Sequence, residues 1–159
     1  MTTVDFDGNE IMEYCEAKLG RIFVLRLHDG DHLPDVLESF AAEKGISSAL
    51  CILLGGTKDK GRVVVGPSSG EAFPPNPMVK LLDGVHEVCG VGTIFSDDSG
   101  KPRLHMHASF GRDDDVVTGC IRMGIDIWQV GEIVVVEMKD VSARRRQDSK
   151  TGFEVLNIH

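Results

Sequence analysis

Residues 86–123 constrain the fold more than any other stretch of the chain. Three runs of strand-forming residues, HEVCGVGTIF (86–95), RLHMHASF (103–110) and VVTGCIRM (116–123), are separated only by the turn clusters SDDSGK and GRDDD. Connections this short join antiparallel neighbours, because a parallel pair needs a crossover of a dozen residues or more. The stretch therefore predicts an antiparallel meander.

The rest of the chain fits around it. GRIFVLRLH (20–28) alternates, with Phe23, Leu25 and Leu27 on one face and Ile22 and Val24 on the other, as a strand buried on at least one side does. A helix is expected next, with Asp31 as N-cap, Leu33, Val36, Leu37, Phe40 and Ala41 on one face, and Lys44-Gly45 as the stop. SSALCILL (47–54), GRVVVG (61–66) and EIVVVEM (132–138) read as further strands, and GFEVLNI (152–158) as a short edge strand. PSSGEAFPPNPM (67–78) carries four of the six prolines and reads as an irregular loop. One helix after the first strand, followed by antiparallel strands, makes an α+β fold that is mostly sheet.

No linker or internal repeat divides the 159 residues, so a single domain over 1–159 is expected, with its core at about 20–140 and a C-terminal tail at 141–159. No run approaches 18 apolar residues, which excludes a helical membrane span. The first twenty residues are acidic where a signal peptide needs a basic and an apolar segment, so a cytoplasmic protein is expected. Cys15, Cys51, Cys89 and Cys120 form no CxxC pair and are read as free thiols. A net charge of −8 opposes general nucleic-acid binding. Arg144-Arg145-Arg146 is read as a solvated tail.

Chemistry concentrates in the meander. His105 and His107 are two positions apart on one strand, so their side chains share a face, with Cα atoms about 7 Å apart. Two imidazoles at that spacing can lean onto one cation at about 2.0–2.1 Å. If residues 112–115 form the turn, Phe110 pairs with Val117 and His107 lies opposite Cys120, the third candidate ligand. A turn at Asp98-Ser99 would set Gly92 and Gly90 opposite His105 and His107 and leave open space beside the rings. His86 is a further candidate as ligand or proton-transfer group, and Glu87 or His86 could serve as acid/base. A His₂Cys set with an open fourth position favours Zn²⁺ and could activate water or hold a small anionic ligand. Spacing leaves an alternative open: two half-exposed imidazoles and a small core cysteine.

The remaining signals are weaker. His28 and His32 flank a polar turn, and Asp113–Asp115 lack the alternation of a Ca²⁺ loop. GVGTIF lies inside a strand and is no dinucleotide fingerprint, and no GxSxG or Walker sequence occurs.

Taken in order, GRIFVLRLHDGDHLPDVLESFAAEKGISSALCILLGG, GVHEVCGVGTIF, RLHMHASFGRDDDVVTGCI and EIVVVEM resemble the plants-and-prokaryotes conserved (PPC) domain over about residues 20–140. The resemblance implies an α+β fold on an antiparallel sheet, assembled as a homotrimer. In plants the domain accompanies AT-hook DNA-binding motifs. Prokaryotic members usually stand alone, and some look like metal proteins with histidines from a strand pair as ligands. On this chain the family's histidine pair falls on His105 and His107, and its third histidine on Cys120. The plant hexapeptide Gly-Arg-Phe-Glu-Ile-Leu lines up with Gly84–Cys89, with Val85 in place of its arginine, and no Arg-Gly-Arg-Pro AT-hook occurs. The expected function is that of a stand-alone PPC protein, DNA-binding or regulatory, with a divalent-metal site. The alternatives are a metal-dependent small-molecule enzyme and a structural or ligand-sensing trimer.

Overall fold

The computed structural model describes residues 2–4 and 10–158, with side chains described from residue 12 onward. Its elements, in chain order, are β1 (Thr2–Val4), β2 (Glu10–Glu13), β3 (Lys18–Leu27), β4 (His32–Leu33), α1 (Asp35–Lys44), β5 (Ser48–Thr57), β6 (Arg62–Pro67), β7 (Pro77–Leu81), β8 (His86–Ser96), β9 (Pro102–Arg112), β10 (Asp115–Cys120), β11 (Ile125–Lys139), β12 (Ala143–Gln147) and β13 (Glu154–Ile158). The main sheet runs β3-β11-β5-β8-β9-β10-β6-β7, with β4 also paired to β11, and every ladder in it is antiparallel. β8, β9 and β10 form the expected meander.

One face of the sheet carries the core. Leu53, Ile94, Met106, Phe110, Ile133 and Val135 are buried there with Leu37 and Ala41 of α1. The opposite face keeps its apolar residues in solvent: Ile22, Val24, Ile52, Leu54 and Val91 are all exposed, Val24 at 81%. Strands apolar on both faces are the pattern of a sheet covered on both sides.

The helix starts later than its apolar spacing predicts. Asp31 is not its N-cap; Pro34 occupies that position, with no side-chain cap. A proline pushes the residue before it out of the helical region, so Leu33 stays extended and pairs with Ile125. The Asp31 carboxylate instead accepts the His28 N–H at 2.7 Å. Glu38, in the first turn, accepts the Leu104 N–H at 3.0 Å and ties α1 to β9. The C-terminal stop is as read: Gly45 is left-handed at φ 63°, and the Ile46 N–H reaches the Ala41 carbonyl at 2.8 Å.

Three further differences concern strands. Pro77–Leu81, inside and after the proline-rich loop, forms β7 on β6, a sheet-edge position that tolerates proline. β11 extends well beyond EIVVVEM and bulges at Gln129 (φ 57°), where Gly55 lies against the Val130 carbonyl too closely for any Cβ. The arginine cluster is not a solvated tail. It forms β12, which pairs with β13 in a separate hairpin and turns Arg145 inward. The GFEVLNI strand therefore belongs to that hairpin and not to the edge of the main sheet. All four cysteines are free. No helix among the described residues is long and apolar enough to cross a membrane.

Candidate metal centre

Cys120 is set by a close approach of strands. Its neighbour Gly119 lies so near β6 that a Cβ there would meet the Val64 carbonyl oxygen, with Val63 Cγ1 at 2.9 Å. β10 can therefore pair with β6 through Cys120 and Val64, which buries the thiol at 3% exposure. On the other side of β10 the ladder to β9 has Val117 opposite Phe110 and Cys120 opposite His107, the register that a turn at 112–115 predicts. His105 follows two residues along on the same face.

These three residues converge. One ligand atom from each of His105, His107 and Cys120 lies within 4.8 Å of the others. The imidazoles meet edge to face, with centroids 5.1 Å apart and planes at 82°. Neither ring makes a hydrogen bond to a described residue, so their nitrogen lone pairs are free to bind. Burial, then the positive charges of Arg145, His107 and Arg122, hold His105 below its ordinary pKa, in the neutral form that can ligate. Two imidazoles and a thiol fit a borderline cation such as Zn²⁺ better than Mg²⁺ or Ca²⁺, which take oxygen donors. The donor set leaves a fourth position open.

The space beside the imidazoles is not made by glycines. Thr93, not Gly92, stands opposite His105, and Val91, not Gly90, opposite His107. Gly92 and Gly90 point to the other face, where a Cβ on Gly92 would meet Met106 Cβ at 2.6 Å. The cause is the turn. Asp97 accepts the backbone N–H groups of Ser99 (2.9 Å) and Lys101 (3.0 Å). The connection thus spans 97–101 between paired Ser96 and Pro102, one register step from a two-residue turn at Asp98-Ser99.

Instead, a cleft of about 760 Å³ opens beside His105, walled by Pro74, Pro75, Arg103, Arg122, Arg145 and Phe153. A smaller pocket of about 120 Å³ reaches His107 and Cys120. Arg122, Arg145 and Phe153 were not legible as site residues: Arg145 was read in a solvated charge run, and Arg122 and Phe153 only as parts of strands. His86 and Glu87 lie outside the cluster. His86 is buried opposite Thr57, with Nδ1 3.0 Å from the Gly84 carbonyl. Glu87 is exposed opposite Gly111, four residues along β8 from Val91, roughly 13 Å at strand spacing.

Comparisons with known proteins agree with this architecture. The family model of the Plants and Prokaryotes Conserved domain matches residues 14–139. A metal-containing protein from Archaeoglobus fulgidus superposes with a TM-score of 0.77 at 27% identity, over 92% of this chain and 99% of that one. A plant- and prokaryote-conserved protein from Pyrococcus horikoshii gives 0.75 at 24% identity, over 92% and 100%. A Ralstonia eutropha protein, provisionally named as DNA-binding, gives 0.68 at 20% identity, over 86% and 90%. No curated protein sequence matches the chain.

Proposed function

The chain belongs to the Plants and Prokaryotes Conserved domain family, and from that premise we propose that it is a metal-binding member whose centre is His105, His107 and Cys120, loaded with Zn²⁺. One observation carries the reading: three donors from two neighbouring strands lie within 4.8 Å of one another. The metal-containing A. fulgidus relative supports it. With the cation bound, the open position supplies Lewis-acid polarisation of an oxygen ligand. The protein's part is to present His105 neutral, to bury the Cys120 sulfur, and to leave the His105 side open to the cleft. A thiol ligand beside three other free cysteines suits the reducing cytoplasm.

The assembly we propose is a homotrimer, joined through the outer face that carries Ile22, Val24, Ile52 and Leu54. The R. eutropha name raises DNA as a partner. The net charge of −8 weighs against it, and the site points to a small ligand instead. Elemental analysis tests the centre. Purified protein should carry close to one zinc per chain, and His105→Ala and His107→Ala should each lose most of it. Full zinc in both variants would defeat the assignment.

A further inference from the structure

The cleft beside the imidazoles holds more positive charge than its surroundings neutralise. Arg103 is committed to Asp97, its Nε donating at 3.0 Å. Arg122 is exposed and makes no hydrogen bond or ion pair to a described residue. Arg145 is the unusual one. It is buried at 7% exposure, its Nη2 donates to Thr93 Oγ1 at 3.0 Å, and its guanidinium lies over Phe95 at 5.6 Å. Packing on a ring occupies the face of the guanidinium but not its N–H edge. The Nε of Arg145 is buried without any partner, the one such side-chain atom among the described residues. Glu154 also lines the cleft and attracts Arg145 through space, without a direct ion pair. In a chain with a net charge of −8, two guanidiniums that face one cleft with no carboxylate in direct contact, one of them with a buried unpartnered Nε, call for an anion.

The walls specify the rest of the ligand. Phe153 and Pro74-Pro75 add apolar lining to the same cleft as the arginines, and its volume of about 760 Å³ suits a small organic molecule. Arg145 and Phe153 both lie beyond the residues that the family model matches, 14–139, so the β12–β13 hairpin supplies half of this subsite, and Arg122 and the prolines of the matched region supply the rest. The geometry points to a small organic oxyanion, a carboxylate or phosphate monoester, whose charged group is held by Arg145 and Arg122 while its apolar body lies on Phe153 and the prolines. The inference deepens the metal-centre reading by naming the class of ligand that the cleft beside that centre takes; it rests on that reading for the neighbouring cation, and on the arginines for what holds the ligand's charge.

Calorimetric titration of the full chain with benzoate and with phenyl phosphate, both metal-free and zinc-loaded, tests it. The expected result is binding of at least one probe in both metal states, weakened tenfold or more by Arg122→Gln and by Arg145→Lys. Because Arg145 is buried, thermal melts accompany its variant, and Arg122, being exposed, tests the idea independently of folding. No binding of either probe, or affinities indifferent to both substitutions, would overturn the proposal. A failure of the metal reading looks different: no zinc at His105, His107 and Cys120, with arginine-dependent binding intact in the metal-free protein.

Discussion

Cys120 differs from the two imidazoles it accompanies in being buried where they are exposed. It differs also in its donor atom, and that has a spectroscopic consequence, because a thiolate ligand gives cobalt a charge-transfer absorption that nitrogen ligands alone do not. Cobalt-loaded protein should show this band in the near ultraviolet. Cys120→Ser should abolish it and weaken binding, whereas Cys120→His should restore binding without it. Retention of the band in Cys120→Ser would remove the sulfur from the coordination sphere. The pairing of Cys120 with His107 was legible only on the condition that the turn is centred within residues 112–115, since a one-residue slip would turn Cys120 away; the ladder continues to Arg112 and Asp115 in that same register. Arg145 was hidden. Three consecutive arginines read as a charge run, and only the pairing of β12 with β13 turns the middle one inward while Arg144 and Arg146 stay exposed.

At the scale of elements, the β3 edge of the sheet carries a bidentate ion pair on top of its backbone ladder to β11. Glu137 on β11 accepts Arg21 Nε at 2.7 Å, Nη2 at 2.8 Å and the Arg21 backbone N–H at 2.9 Å. The same Nη2 donates to the Lys44 carbonyl at 2.9 Å, so β3, β11 and the end of α1 meet in one guanidinium. The hydrogen bonds from Arg21 pull the Glu137 carboxyl down to about 2. A carboxyl whose folded pKa is depressed stabilises the protein above its unfolded value, and that stability is lost as the pH falls through the folded one. Glu137→Gln should therefore melt below the wild type at pH 7, and the two melting temperatures should converge as the pH approaches 2, as pH-dependent melts will show. A constant gap down to pH 2 would mean that the pair contributes packing and not charge. Element boundaries were the least legible part of the chain. Apolar spacing places Leu33 with the helix, but Pro34 holds it extended, and backbone N–H groups of Ser99 and Lys101 donating to the Asp97 carboxylate lengthen a turn that its residues alone suggested was tight.

The molecule as a whole presents one covered and one bare sheet face. Burying the bare apolar face, at about 25 cal/mol per Å² removed from water, is the driving force available for assembly. Sedimentation equilibrium should return the mass of three chains, and the double variant Ile22→Asp, Val24→Asp should sediment as a monomer with unchanged far-ultraviolet dichroism. A monomeric wild type would refute the trimer. The α+β class was plain from strand-forming runs and turn spacing, but the order of strands was not. Nothing in the pattern of EIVVVEM says that it lies between the two strands that flank the helix.

That order governs how the chain reaches its native state. β3 and α1–β5 are consecutive, yet a slot one strand wide separates β3 from β5 until β11 enters it, and Leu27 must wait for Gly131 and Lys18 for Lys139. Contacts between such distant positions are slow to form, because the loop-closure entropy is lost before the ladder compensates for it. While the slot is empty, two apolar strands expose unpaired N–H and C=O groups to each other and to neighbouring chains. The competing product expected of folding is therefore a premature parallel pairing of β3 with β5 across the helix crossover, or the same edges joined between molecules. Refolding yield should therefore fall as chain concentration rises, as refolding across a dilution series will show.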